Sequence, residues 1–445
     1  MRSNFRMSEN FMIYKFGIIC PPFTGHLNPM TSLALELIRK KHKVVLFYYN
    51  TNKNIFDLGK LGIETIYLGN EFTESLINNN LARLSKLTGW KANKQAFRIY
   101  KELVRINLQF LPEKIKSVDC DALLIDQSMV EGESIAAVAK LPFITICSAL
   151  ILNPDLSVPP PFLEWQPNLS FSGQIRNFIG YLFVGLNLSV SFKKATKLIS
   201  DYRKCNYLPK YPAKYKKEYS QNLWSSIATV SQQPSKFEFP RSDLDKKKFH
   251  FTAPFINHQI REDIDFPWEK LDGKPLIYAS IGTLQNSVDN LYSKIACACL
   301  GINCQLVMAL GEPNKKLHID KLPQNAIIMS YAPQLQLLQR ASLCITHAGI
   351  NTVLEALFYG VPMVAMPIAN DQPGIAARVK YTGTGMIVNR KCNILQLNRA
   401  IEKVLNTNFY RENALKMQND IRKHNGSVCA ANIIEKVIDS CYISE

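Results

Sequence analysis

Residues 331–372, YAPQLQLLQRASLCITHAGINTVLEALFYGVPMVAMPIANDQ, leave this chain few folds to choose from. Two short apolar runs, residues 343–346 (LCIT) and 361–366 (VPMVAM), lack the in-and-out alternation of a half-exposed strand. They read as strands covered on both faces, which is the habit of parallel sheets. Between them lie a turn, His347-Ala348-Gly349, and a helix pattern whose first turn holds Asn351 and Thr352. Strand, turn, helix and strand in that order make the repeating unit of a doubly wound α/β sheet, whose ligand crevice lies at the carboxyl ends of the strands. The helix start carries unpaired N–H groups and a partial positive charge, so it stabilises an anion such as a pyrophosphate without a basic side chain. Gly349 permits close backbone approach. Glu355, one helical turn after Asn351, offers a carboxylate to ribose hydroxyls, and Asp371 with Gln372 offers acceptors and donors suited to a sugar.

The N-terminal part repeats the pattern. Residues 15–20 (KFGIIC) read as a short strand, 21–29 (PPFTGHLNP) as a Gly/Pro loop, 30–39 as an amphipathic helix and 44–49 as a second strand. His26 falls in the loop at the crevice end of the first strand. An imidazole titrates near neutral pH and suits proton transfer, but it needs a partner to fix its tautomer and to stabilise the imidazolium. Asp126, closing the apolar run 122–125, can be that partner.

On these residues the chain resembles the UDP-glycosyltransferase family, in its bacterial branch. The resemblance implies a GT-B fold, two Rossmann-like doubly wound domains facing across a cleft. It implies that His347, Gly349, Asn351 and Thr352 meet the diphosphate, Glu355 the ribose, and Asp371 with Gln372 the hexose. Tyr331 and Gln334 lie in a stretch matching the family's uracil-reading loop, with Tyr331 where plant members place a tryptophan, and Thr283 resembles part of a further phosphate loop. Ala348 and Ile350 stand where plant members have Cys and Trp. His26, in Gly25-His26-Leu27-Asn28-Pro29, matches the family's general base, and Asp126 its partner. The implied reaction is a direct displacement at the anomeric carbon with inversion, using a UDP-sugar as co-substrate and no metal or other cofactor. Residues 121–127, 148–161, 266–286 and 367–379 resemble the branch that glucosylates ring hydroxyls of carotenoids such as zeaxanthin from UDP-glucose. Macrolide, sterol and phenolic acceptors remain open, as do a sugar-nucleotide epimerase and a non-catalytic sugar-nucleotide binding subunit.

A length of 445 residues asks for more than one core. The expected divisions are a disordered extension over 1–10, an acceptor-binding domain over 11–250, a linker over 251–274, a donor-binding domain over 275–424 and a helix within 425–445 that returns to the first domain. The 11 cysteines show no Cys-x-x-Cys spacing and read as buried thiols of a reduced cytoplasm. Asp-x-Asp triplets begin at Asp119, Asp243 and Asp263, outside the donor segment, and are not expected to bind metal. The net charge of +17 is fed by a basic stretch after the apolar run 178–192. That run is too short to cross a bilayer, but beside basic residues it suits a peripheral contact with anionic lipid, or else a core helix followed by a solvated basic face. No nucleic-acid recognition motif is present, and the expected location is the cytoplasm, with peripheral contact at the inner face of a membrane.

Overall fold

The computed structural model describes residues 12–49, 58–210, 225–261, 263–284, 291–312 and 321–443. The expected extension over 1–10 lies outside them. The first half runs β1 (Lys15–Ile19), α1 (Thr24–Arg39), β2 (Lys43–Tyr48), β3 (Glu64–Tyr67), α2 (Glu71–Leu84), α3 (Gly89–Val118), β4 (Ala122–Asp126), α4 (Gly132–Ala139), β5 (Phe143–Cys147), α5 (Phe171–Cys205), β6 (Thr229–Ser231) and β7 (Phe249–Phe251). The second runs β8 (Leu276–Ser280), α6 (Leu291–Ala298), β9 (Gln305–Ala309), β10 (Ile327–Met329), α7 (Gln334–Arg340), β11 (Ala341–Thr346), α8 (Ile350–Phe358), β12 (Met363–Ala365), α9 (Gln372–Tyr381), β13 (Gly385–Ile387), α10 (Ile394–Asn406), α11 (Asn408–Arg422) and α12 (Gly426–Ile443).

The strands form two parallel sheets, ordered β3-β2-β1-β4-β5-β6-β7 and β10-β9-β8-β11-β12-β13. In each, the winding reverses beside the first strand, between β1 and β4 and between β8 and β11. Such a reversal opens a crevice at the carboxyl ends of the two strands, where the connections leave in opposite directions. His26 and Asp126 follow β1 and end β4; Gly282 and His347 follow β8 and β11. Every residue of β4 and β8 is buried, as strands roofed by helices on both faces require.

Three features differ from the sequence expectation. Helix α1 starts at Thr24, so His26 stands in its first turn rather than in a loop, and Pro29 sits inside the helix. Pro29 has no N–H to give the Gly25 carbonyl four residues earlier, which leaves that carbonyl open to another donor. The apolar run 178–192 is only the middle of α5, a helix of 35 residues. By length and composition alone it could span a membrane, but Asn177, Gly180, Val184, Leu188, Ala195 and Ile199 bury one side against the protein. Cys205 is exposed, against the expectation of buried thiols, whereas Cys20, Cys120, Cys147 and Cys344 are buried and free.

The halves are tied together. Within 251–274, Ala253, Phe255 and Phe266 are buried rather than strung through solvent. Helix α12 packs Ala430, Ile434 and Ile438 into the first sheet's core, with Tyr14 donating to Asp439 at 2.6 Å and Tyr442 to the Asp121 carbonyl at 2.8 Å. Deep in the joint, the Arg378 guanidinium from α9 meets Glu238 and lies 4.2 Å from the centre of the Phe239 ring.

Candidate active site

Asp126 ends β4 only 1% exposed. Its Oδ2 lies 3.0 Å from His26 Nδ1 and accepts from the Ser148 hydroxyl, while Oδ1 accepts from the Ser128 N–H at 2.9 Å and from the Ser128 hydroxyl. Ser148 Oγ also lies 2.9 Å from His26 Nδ1. Burial alone would push the His26 pKa down, but the Asp126 charge and hydrogen bond, with Asp371 adding, raise it above its ordinary value. Burial would likewise raise Asp126, yet His26, Ser128 and Ser148 hold it below its ordinary value. With Nδ1 committed to the carboxylate, Nε2 is the nitrogen left for a substrate hydroxyl.

Across the cleft, β11 ends in a turn with Ala348 at φ 65° and Gly349 at the start of α8. The His347 ring is wedged between glycines: a Cβ on Gly282 would fall 2.6 Å from the ring and one on Gly349 2.5 Å. Burial drives the His347 pKa down to about 4, against the opposing pull of a hydrogen bond to the Ser280 backbone, so the ring is neutral at pH 7. Beside it α8 presents the unpaired N–H groups of its first turn. Together they form an uncharged cradle of donors.

Glu355, on the same helix, accepts from Gln334 Nε2 through Oε2 and from Arg261 through Oε1. Each carboxylate oxygen keeps lone-pair capacity for a further donor. Gln334 is held in turn by Tyr278, whose hydroxyl donates to it at 2.9 Å. Gln372 Oε1 accepts from the N–H groups of Ile368 and Ala369, so this amide shapes the loop that carries Asp371. Asp371 is half-buried; the loss of solvation around its carboxyl raises its pKa, and its Oδ2 accepts from the Leu150 N–H at 3.4 Å. Tyr331 remains 39% exposed at the rim.

Asn351 crosses the cleft. Its Nδ2 donates to the Gly25 carbonyl at 2.8 Å, the one Pro29 cannot serve, and its Oδ1 accepts from Gln232 Nε2 at 2.9 Å. Gln232 also donates to the Ser148 carbonyl. The Asn351 side chain is thus spent on the opposite lobe, and its main-chain N–H is what it offers an anion.

A single cavity of about 2220 Å³ joins these groups, lined by His26, Thr283, Tyr331, Gln334, His347, Gly349, Asn351, Thr352, Glu355, Asp371 and Gln372, with Asp126 directly behind His26. Pockets for one small ligand commonly span roughly 300–1,000 Å³, so this one has room for two. Of the Asp-x-Asp residues, Asp243 and Asp245 line it; burial and the Asp155 carboxyl push Asp243 up to about 7. Among the described residues no cluster of three His, Cys, Asp or Glu suited to a metal occurs.

The model of the UDP-glucoronosyl and UDP-glucosyl transferase family matches residues 61–425. The chain belongs to that family. This UDP-glycosyltransferase is 27% identical to zeaxanthin glucosyltransferase of Pantoea ananas over 95% of its own length and 96% of the relative's. It is 25% identical to the zeaxanthin glucosyltransferase of Pseudescherichia vulneris, over 95% and 98%. The solved calicheamicin glycosyltransferase CalG4 superposes with a TM-score of 0.71 at 20% identity, covering 97% of this chain and 99% of that one, so the fold is GT-B.

Sequence reading missed Ser128, Ser148, Gln232 and Arg261. Ser148 and Gln232 follow β5 and β6, the strands next in line after β4. Their signal was positional only: in a parallel sheet each successive strand delivers its following residue to the same edge.

Proposed function

We propose that this glycosyltransferase moves glucose from UDP-glucose to a hydroxyl of a lipophilic acceptor, a carotenoid such as zeaxanthin, with inversion at the anomeric carbon. The observation that carries the chemistry is that His26, backed by Asp126, and the His347–α8 cradle line one cavity from opposite lobes. The acceptor hydroxyl gives its proton to His26 Nε2 as its oxygen bonds to the anomeric carbon. The bond from that carbon to the diphosphate oxygen breaks, and the electron pair leaves with UDP. Asp126 holds the imidazolium as it forms. The first-turn N–H groups of α8 and the neutral His347 stabilise the charge that develops on the leaving diphosphate. Glu355 receives the ribose hydroxyls, Asp371 and Gln372 the hexose, and Tyr331 the base, with Thr283 beside the phosphates. The scheme calls on no metal.

Acceptor class is read from the first lobe. Phe23, Phe97, Tyr100, Phe162, Phe178 and Leu182 line its side of the cavity, a wall suited to a long apolar molecule. The two zeaxanthin glucosyltransferase relatives support the same reading. The test is an acceptor panel with UDP-glucose and TDP-glucose, read by mass spectrometry: zeaxanthin should gain a hexose, and His26→Ala should abolish the gain. Transfer confined to macrolide, sterol or phenolic acceptors would overturn the carotenoid assignment. Transfer unaffected by His26→Ala would overturn the mechanism.

A further inference from the structure

Helix α5 has two faces of different destination. Gly173, Asn177, Gly180, Val184, Leu188, Ala195 and Ile199 recur at helical spacing and are buried. On the opposite face stand Ile175, Phe178, Ile179, Leu182, Leu186 and Val190, all exposed, with Leu186 76% and Val190 67% open. These large apolar groups extend about 22 Å along the axis, well beyond the single scattered hydrophobics of an ordinary surface. The same face then continues as Lys193, Lys197 and Lys204, also exposed. Lys94 and Arg98 of α3 border Leu186 and Val190 in a shallow surface depression. Asp201 is the one acidic residue of the helix, against six basic ones. An apolar stripe edged by cations, on a helix whose other side is packed into protein, fits an interfacial helix lying in the headgroup region rather than a span.

The position of the stripe gives it a use. Phe178 and Leu182 are exposed and also line the substrate cavity, while Tyr181, Val184 and Leu188 line it from the inner side. One helix therefore separates the cavity from the exposed apolar surface, and its residues 178 and 182 form a shared rim.

We propose that the outer face of α5 seats this enzyme on an anionic bilayer, so that the acceptor passes from the lipid over Phe178 and Leu182 into the cleft without crossing water. Apolar burial of the stripe supplies adhesion, and the lysines select anionic headgroups. The consequence for turnover rests on the lipophilic-acceptor reading above; the docking itself is measured without either substrate.

The experiment uses the full chain with vesicles of phosphatidylcholine alone or with one-third phosphatidylglycerol, followed by flotation at low and high salt. Wild-type protein should float with the anionic vesicles and bind them less at high salt. Ile179→Gln/Leu186→Gln/Val190→Gln, whose side chains do not line the substrate cavity, should reduce partitioning roughly tenfold or more on both vesicle types. Lys193→Gln/Lys197→Gln should reduce it roughly tenfold on anionic vesicles only. Unchanged melting temperature and UDP-glucose affinity establish that the variants fold. With the acceptor dissolved in vesicles both variants should turn over more slowly, and with the acceptor in detergent micelles at the wild-type rate. Wild-type protein that stays in solution with anionic vesicles at low salt overturns the proposal, as does a triple variant that floats like wild type. A dimer that the triple variant splits, without vesicle binding, makes the face a contact between copies and also overturns it. Vesicle binding without glucosylation of any lipophilic acceptor upholds the docking and removes the acceptor reading instead.

Discussion

Replacing Asp126 by Asn should slow transfer severely while carrying activity to lower pH. The carboxylate lies 3.0 Å from His26 Nδ1. At an effective dielectric near 20, two unit charges at that distance attract by about 5.5 kcal/mol, or roughly four decades in rate at 1.36 kcal/mol per decade. The imidazolium that develops as the acceptor proton arrives would lose this attraction. The asparagine dipole and the Ser148 hydroxyl, 2.9 Å from the same nitrogen, recover part of it, so kcat should fall by about 10²–10⁴. The pH dependence gives an independent sign. His26 must be neutral to accept a proton, so activity falls on the acid side as His26 protonates. Asp126 is what raises that pKa against burial; with the charge removed, burial prevails and the acid limb moves to lower pH. The assay is kcat/KM for hexose transfer from pH 5 to 9 in both proteins. A variant within fivefold of wild type, or an acid limb that stays in place or moves up, would refute the general-base assignment.

Glu355→Gln should raise the KM for the nucleotide-sugar about tenfold or more with a smaller change in kcat, because the proposed ribose contact would be made in ground and transition state alike; steady-state kinetics at saturating acceptor reads the split. Arg378→Met removes a buried cation bonded to Glu238 and to the Gly374 carbonyl at 2.9 Å. Leaving the buried carboxylate short of a partner should cost about 3–5 kcal/mol, a fall in Tm of roughly 3–5 °C for a chain this long, read by calorimetry. His347 has its pKa depressed to about 4 in the fold, so the unfolded chain binds more protons between its ordinary value and there. Stability from this group is full above the unfolded pKa and drains as pH falls towards 4, by at most roughly 3 kcal/mol. His347→Gln should therefore lose less stability than wild type between pH 6.5 and 4.5 in denaturant titrations.

The second lobe is legible because its strands are unbroken apolar runs and its turn residues fall at their ends; β11, α8 and β12 follow the reading of residues 343–366 closely. The start of helix α1 is hidden in the sequence because Thr24-Gly25 and Pro29 carry loop propensities. Tertiary contacts override them: Met30, Leu33 and Leu37 bury the helix in the first core. The full length of α5 was hidden for a similar reason, since its basic half looks solvated, yet Arg203 is buried with its guanidinium on Glu133 and Ser134. Gln232 and Arg261 escaped notice because nothing local marks them. The place of Gln232 comes from the alignment of distant strand ends, which appears only once the sheet order is known, and Arg261 reaches Glu355 from the segment that joins the two sheets.

The proline inside α1 has a consequence beyond the helix it interrupts. By withholding one rung of the backbone ladder, Pro29 leaves an oxygen one residue before the imidazole-bearing position, and the amide of Asn351 fills that vacancy from the nucleotide side. Parting of the lobes would therefore hand the oxygen to water, and their meeting would restore the contact. The turn that carries His26 would thus register, through one missing hydrogen, whether Asn351 lies against it.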